Sequence, residues 1–212
     1  MDLTLSSNNP LNTTLSDNSS KPIYQIYTPK KHFWNSARSS TSIFKVLDSN
    51  TDVSVAADAV THDQAHELSG DEEENNVELQ CDPISPSLVE VARIRWHTWA
   101  TSKIIYQGRL YPLKTWLPNT SWTGRHRRFT GPGGHVYEWN LGYYSCKLQR
   151  IDGNGPPELI ASFHQQKVLE HAKAHLEIRP AGMDIFELIV ITWVFIETRR
   201  RDKERQYIFT ET

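Results

Sequence analysis

The sequence is short of the residues from which most small functional sites are built. Only two cysteines occur, Cys81 and Cys146, too few for a disulfide framework or a paired-cysteine zinc site. Cys81 also lies in a stretch whose composition does not favour folding, so the matching expectation is a reducing, intracellular, cytoplasmic compartment. The opening MDLTLSSNNPLNTTL has neither a basic leader nor a continuous apolar run, so no secretory signal is expected. The Asn-x-Ser/Thr patterns at Asn12, Asn18 and Asn119 then carry no weight. Gly131-Pro132-Gly133-Gly134 has no Lys-Ser/Thr behind it and reads as a hairpin turn rather than a phosphate loop. There is no Gly-x-Ser-x-Gly elbow. His171 and His175 stand four apart without an adjacent zincin glutamate or an evident third ligand. These gaps disfavour the common nucleotide-binding, hydrolase and zinc classes. The expectation is a non-enzymatic protein, with no catalytic residue, cofactor or metal ligand assigned.

Positive charge is missing from one long stretch. No Lys or Arg falls between Lys45 and Arg93, while eleven acids gather from Asp48 to Asp82. Setting those aside leaves 14 acids against 23 basic residues, a net of +9 hidden within an overall −2. Residues 48–87 also lack aromatic side chains and are rich in Ser, Asn, Ala and Pro, the composition of a segment unable to bury enough surface to fold. They read as an acidic disordered insertion between two strand-like runs, Ile43–Leu47 and Leu88–Val91. The expected folded domain is therefore residues 1–47 plus 88–212.

Within that domain, short runs with apolar residues at every second position recur between turn signals. Leu3 with Leu5, Leu11 with Leu15, Tyr137 with Trp139 and Leu141, Leu159 with Ala161 and Phe163, and Leu176 with Ile178 each mark one face of a strand. A parity change between Val91 and Ile94 marks a bulge near Ala92 or a strand contacted on both faces. Gln107-Gly108, the Gly131–Gly134 run and Asp152–Gly155 supply residues that tolerate positive φ, so neighbouring strands are expected to be antiparallel. Trp96 and Trp139 are expected in the core; Trp116 and Trp122 flank a polar loop and are left open.

One segment breaks the strand pattern. From Ile185 to Ile196 only Glu187 and Thr192 are polar, and they form no stripe. With Asp184 in front and Arg199-Arg200-Arg201 behind, its ends carry the charges that suit a helix. Twelve residues span only about 18 Å as a helix, against about 30 Å of bilayer hydrocarbon. Burial on all sides by protein is the expectation, with no transmembrane span.

The blocks MDLTLSSNNPLNTTLSD, ARIRWHTWATSKIIYQGR, RHRRFTGPGGHVYEWNLG and GMDIFELIVITWVFIETRRR resemble a fungal family classed as a domain of unknown function. That family in turn resembles the tubby C-terminal-like fold of phospholipid scramblases and LURP-one-related proteins. The resemblance implies a mainly β architecture, an antiparallel closed barrel of about twelve strands around a central hydrophobic C-terminal helix.

Three basic groups remain: Lys30-Lys31, Arg125-His126-Arg127-Arg128 and Arg199-Arg200-Arg201. Solvated surface charge is the commoner explanation of such runs, by about two to one. The resemblance tilts the functional version toward anionic phospholipid headgroups, with Lys30, Lys31, Arg125, Arg127 and Arg128 as the candidate site; a protein partner is the other expectation. Nucleic acid is disfavoured by the pI of about 6.5 and the acidic stretch. A scramblase-like protein that inserts its C-terminal helix into a membrane is the alternative, with a cryptic enzyme the weakest reading. Oligomeric state has no sequence signal.

Overall fold

The computed structural model describes residues 1–29, 40–47, 87–97, 102–153, 155–166 and 172–210. Twelve strands carry the fold: β1 (Asp2–Leu5), β2 (Thr13–Ser16), β3 (Pro22–Tyr27), β4 (Ser40–Val46), β5 (Leu88–Arg95) and β6 (Lys103–Tyr106), then β7 (Arg109–Pro112), β8 (His126–Thr130), β9 (Val136–Leu141), β10 (Cys146–Arg150), β11 (Glu158–His164) and β12 (His175–Ile178). One helical turn, α1 (Leu113–Trp116), separates β7 from β8, and the chain ends in the long helix α2 (Phe186–Thr210).

Turn chemistry sets the connectivity. Gln107 and Gly108 have φ of 49° and 70° and join β6 to β7 as a two-residue hairpin, the positive-φ pair its strand twist requires. Consecutive strands pair antiparallel throughout each half of the chain, and β1 pairs with β12, giving one sheet in the order β7-β6-β5-β4-β3-β2-β1-β12-β11-β10-β9-β8. The parity change in β5 is a bulge: Ile43 faces Ala92 but Phe44 faces Glu90, so Val91 is skipped. A second register shift, opposite β11, lets Ile160, Ala161, Ser162 and Phe163 all be buried, where simple alternation predicts one buried face. β4 and β5 are direct neighbours, and Leu47 N–H donates to the Ser87 carbonyl at 2.9 Å. Residues 48–86, which hold nearly all of the expected acidic insertion, lie outside the described residues.

The closed barrel expected from the resemblance is corrected here: hydrogen bonding does not close the sheet, and β7 and β8 are its two end strands. The chain between them occupies the position a closing partner of β8 would take. Arg128 N–H donates to the Pro118 carbonyl and Thr120 N–H to the His126 carbonyl, each at 3.0 Å, with an isolated bridge between Asn119 and Arg127. Pro118 has no N–H to extend that pairing into a ladder.

The sheet nevertheless curls around α2. From Ile189 to Thr198 no residue is more than 2 % exposed, so every face of that stretch is covered. An all-round apolar helix has no solvent face to offer and must be enclosed. Its neighbours come from across the strand order. The Phe186 ring lies 5.8 Å from Tyr24 on β3, Trp193 lies 5.2 Å from Phe163 on β11, and Trp139 Nε1 on β9 donates to Thr192 Oγ1 at 2.9 Å. Just beyond β5, Trp96 stacks on Phe195 at 5.8 Å. Gly182 allows the close approach that feeds the chain into α2, because a Cβ there would sit 2.8 Å from Ile160 Cγ2 and 3.0 Å from Ile189 Cδ1.

The helix outruns its expected end at the three arginines and continues to Thr210. Glu197 bonds Arg200 and Arg201, three and four residues on, and Glu204 pairs with Arg200, so the charges read as a stop signal instead brace further turns. No helix among the described residues is long and apolar enough to cross a membrane.

Candidate cationic site

Strand β8 places its residues by simple alternation. Phe129 points inward and stacks on Tyr137 at 5.4 Å. Arg127, two residues earlier, lies on the same face and reaches the central helix, its guanidinium carbon 5.7 Å from the Phe195 ring centroid. Arg199 of α2 lies over the same ring at 5.5 Å. Four residues along the helix, Lys203 Nζ donates to the Thr123 carbonyl in the loop leading into β8. Arg125 donates to the Leu141 carbonyl at 3.0 Å and covers the Tyr143 ring at 4.2 Å. Two elements far apart in sequence thus bring Arg125, Arg127, Arg199 and Lys203 together where the covered part of α2 ends.

The electrostatics are those of a like-charged group partly withdrawn from water. Burial, and then the neighbouring charge of Arg199, pushes Arg127 below its ordinary value. Burial lowers Lys203 as well, and Arg125, Arg127 and Arg199 add to it. Among the described residues no carboxylate forms an ion pair with Arg127, Arg199 or Lys203. Arg199 Nε is buried and has no hydrogen-bond acceptor among them. Gathering like charges in a half-buried place is electrostatically costly.

Arg127 also donates to the Leu117 carbonyl at 3.2 Å, so what sets Arg128, Arg200 and Arg201 apart is that they are paired with carboxylates. Arg128 faces the opposite side of β8 and donates to Glu138 at 3.0 Å, where His126 and Thr120 also bond the same carboxylate. Burial alone would raise the Glu138 carboxyl, but these three bonds outweigh it and hold it below its ordinary value. Arg200, 1 % exposed, bonds Glu197 through Nε and Nη2, both at 2.7 Å, and the Tyr143 carbonyl through Nη1 at 2.7 Å. Arg201 bonds Glu197 and then the Asn8 carbonyl at 2.6 Å. The run Arg199-Arg200-Arg201 therefore splits, because successive helical residues point about 100° apart. One member joins the cluster and two clamp loops to the helix.

Of the five residues expected to form the site, the structure brings Arg125 and Arg127 together and sets Arg128 apart. Lys30 and Lys31 lie outside the described residues, as does His171. His175 stacks on His164 at 4.6 Å. Sequence reasoning missed Lys203 and left Arg199 out of the site. Two signals were available for them: the shared parity of residues 125, 127 and 129, and the four-residue spacing of 199 and 203.

Elsewhere, Cys146 is fully buried with Sγ 3.9 Å from Glu197; burial and then that carboxylate push its thiol up, which suits packing rather than reactivity. An open pocket of about 360 Å³ lies near the start of α2, lined in part by Glu90, Arg93, Gly108 and Glu187. Its main charges satisfy each other: Arg93 bonds both oxygens of Glu90 at 2.7 and 2.6 Å.

The architecture and the site together define an antiparallel β-protein folded around its own C-terminal helix, with a cationic cluster beside the end of the covered stretch. A family model matches residues 8–202, and the chain belongs to that family, described as a family of unknown function, DUF6593. No curated protein and no solved structure shows significant similarity to the chain. The tubby-like and scramblase relationships and the fungal source expected above therefore rest on the sequence blocks alone.

Proposed function

We propose that the protein is a non-enzymatic binding module whose cluster of Arg125, Arg127, Arg199 and Lys203 receives the phosphates of an anionic phospholipid headgroup. The observation carrying this reading is the gathering of cations from β8 and α2 at one place, with no carboxylate paired to Arg127, Arg199 or Lys203 among the described residues. Guanidinium groups suit phosphate through charge-assisted, forked hydrogen bonds. A helix packed within a twelve-stranded antiparallel sheet agrees in part with what the tubby-like resemblance implies, without the closed barrel.

Soluble inositol trisphosphate tests the site without a membrane. The wild-type protein is expected to bind it saturably and to gain thermal stability from it. R127M/R199M keeps the apolar stems packed over Phe195 while removing two charges, and is expected to lose at least about tenfold in affinity. R128A, on the opposite face, is expected to bind as the wild type does. Equal binding by wild type and R127M/R199M contradicts the assignment. The scramblase-like alternative needs α2 to leave the sheet; membrane association that resists carbonate extraction is the result that favours it.

A further inference from the structure

The loops holding the cluster carry the most exposed large hydrophobic side chains of the described residues. Trp122 is 98 % exposed, Tyr144 82 % and Tyr143 64 %, while no other reaches more than 51 %. They occupy two loops, before β8 and between β9 and β10, that are tied to each other and to α2. Ser121 Oγ accepts from Arg125 N–H at 3.1 Å, and Arg125 in turn bonds Leu141 and covers the Tyr143 ring. Lys203 holds the Thr123 carbonyl and Arg200 the Tyr143 carbonyl. The rings thus border the cations on a braced rim.

The geometry points to this rim, Trp122, Tyr143 and Tyr144, as an anchor that seats in the interface of an anionic bilayer while the adjacent cations engage a headgroup. The inference rests on the anionic-headgroup reading of the cluster and deepens it by naming a membrane, rather than a free phosphate compound, as the source. Trp and Tyr combine an apolar ring with a polar edge and concentrate at the headgroup level of membranes. Surface cations are drawn to an anionic leaflet, and two weak attachments together give stable binding where either alone is marginal. Single-stranded nucleic acid also pairs stacking rings with cations, but it needs a positive groove that tracks its backbone. Here the cations gather at one place, and Arg128 beside them is paired with Glu138.

The test uses W122A/Y144A in the full chain, at two positions exposed enough to leave the fold intact, checked by an unchanged thermal midpoint. Vesicles of phosphatidylcholine with about one-tenth phosphatidylinositol phosphate are compared with soluble inositol trisphosphate. The variant is expected to lose at least about tenfold in vesicle affinity and nothing in affinity for the soluble headgroup. Vesicle binding equal to that of wild type overturns the anchor and leaves the cluster assignment standing. Loss of both ligands also overturns it, because the rings would then belong to the ligand site itself. If the wild type binds neither probe, the cluster assignment fails and the anchor with it. Saturable oligonucleotide binding that disappears in the variant, with vesicles ignored by the wild type, overturns it in favour of base stacking.

Discussion

Replacing Ile189 with aspartate is expected to leave no cooperatively folded protein. Ile189 is fully buried on the enclosed stretch of α2, against the Gly182 turn. The change removes a side chain whose burial contributes about 1.5–3 kcal/mol. It also places a carboxylate among apolar atoms, where staying charged or taking up a proton costs several kcal/mol more. Domains of this kind are stable by only about 5–15 kcal/mol, so most or all of that margin disappears. Ile189→Val serves as the control and should unfold cooperatively with a loss of about 0.5–1.5 kcal/mol. Circular dichroism across a denaturant series distinguishes the two. A soluble I189D protein with an ordinary transition would mean that this part of α2 is not enclosed.

Glu197→Ala should be the next most damaging change, at about 3–5 kcal/mol, because it strips a buried guanidinium of its one fully buried counter-charge and leaves it only the partly exposed Glu204. Arg200 is 1 % exposed and Glu197 not exposed at all; Arg201 shares the same carboxylate. Taking both ends of the main pair away is a different matter. In E197L/R200M no fully buried charge is left unpaired, and most of the loss is expected to return, although Arg201 and Glu204, both partly exposed, lose a partner and the Arg200 bond to the Tyr143 carbonyl is gone. Urea midpoints for the single and double variants measure this directly. A loss below about 1 kcal/mol in E197A would show that water reaches the pair.

Much of the fold was legible because its local rules are strict. Period-two apolar patterns located strands at Leu3–Leu5, Tyr137–Leu141 and Leu176–Ile178, and a segment apolar on every side had to be enclosed. The failures share a physical cause, which is that they depend on what comes together in space. Whether β7 meets β8 is decided by how residues 113–125 lie along β8, and nothing in the strand pattern specifies that. The three arginines looked like a helix end because the partners of Arg200 and Arg201, Glu197 and Glu204, bind them through helical spacing that the charge count ignores. The site was half legible for the same reason. Residues 125–128 were visible as a basic run, but only the opposite facing of Arg127 and Arg128 separates a cluster member from an ordinary ion pair.

Salt-dependent vesicle sedimentation tests the cationic cluster most directly. Wild-type protein, R127M/R199M and R128A are spun with neutral phosphatidylcholine vesicles and with anionic ones, at about 0.1 M and about 0.5 M salt. Wild type and R128A are expected to pellet preferentially with the anionic vesicles at low salt and to lose that preference at high salt, and R127M/R199M to show little preference at either. Equal pelleting with both vesicle types, or a preference that survives in R127M/R199M, would contradict the cluster assignment.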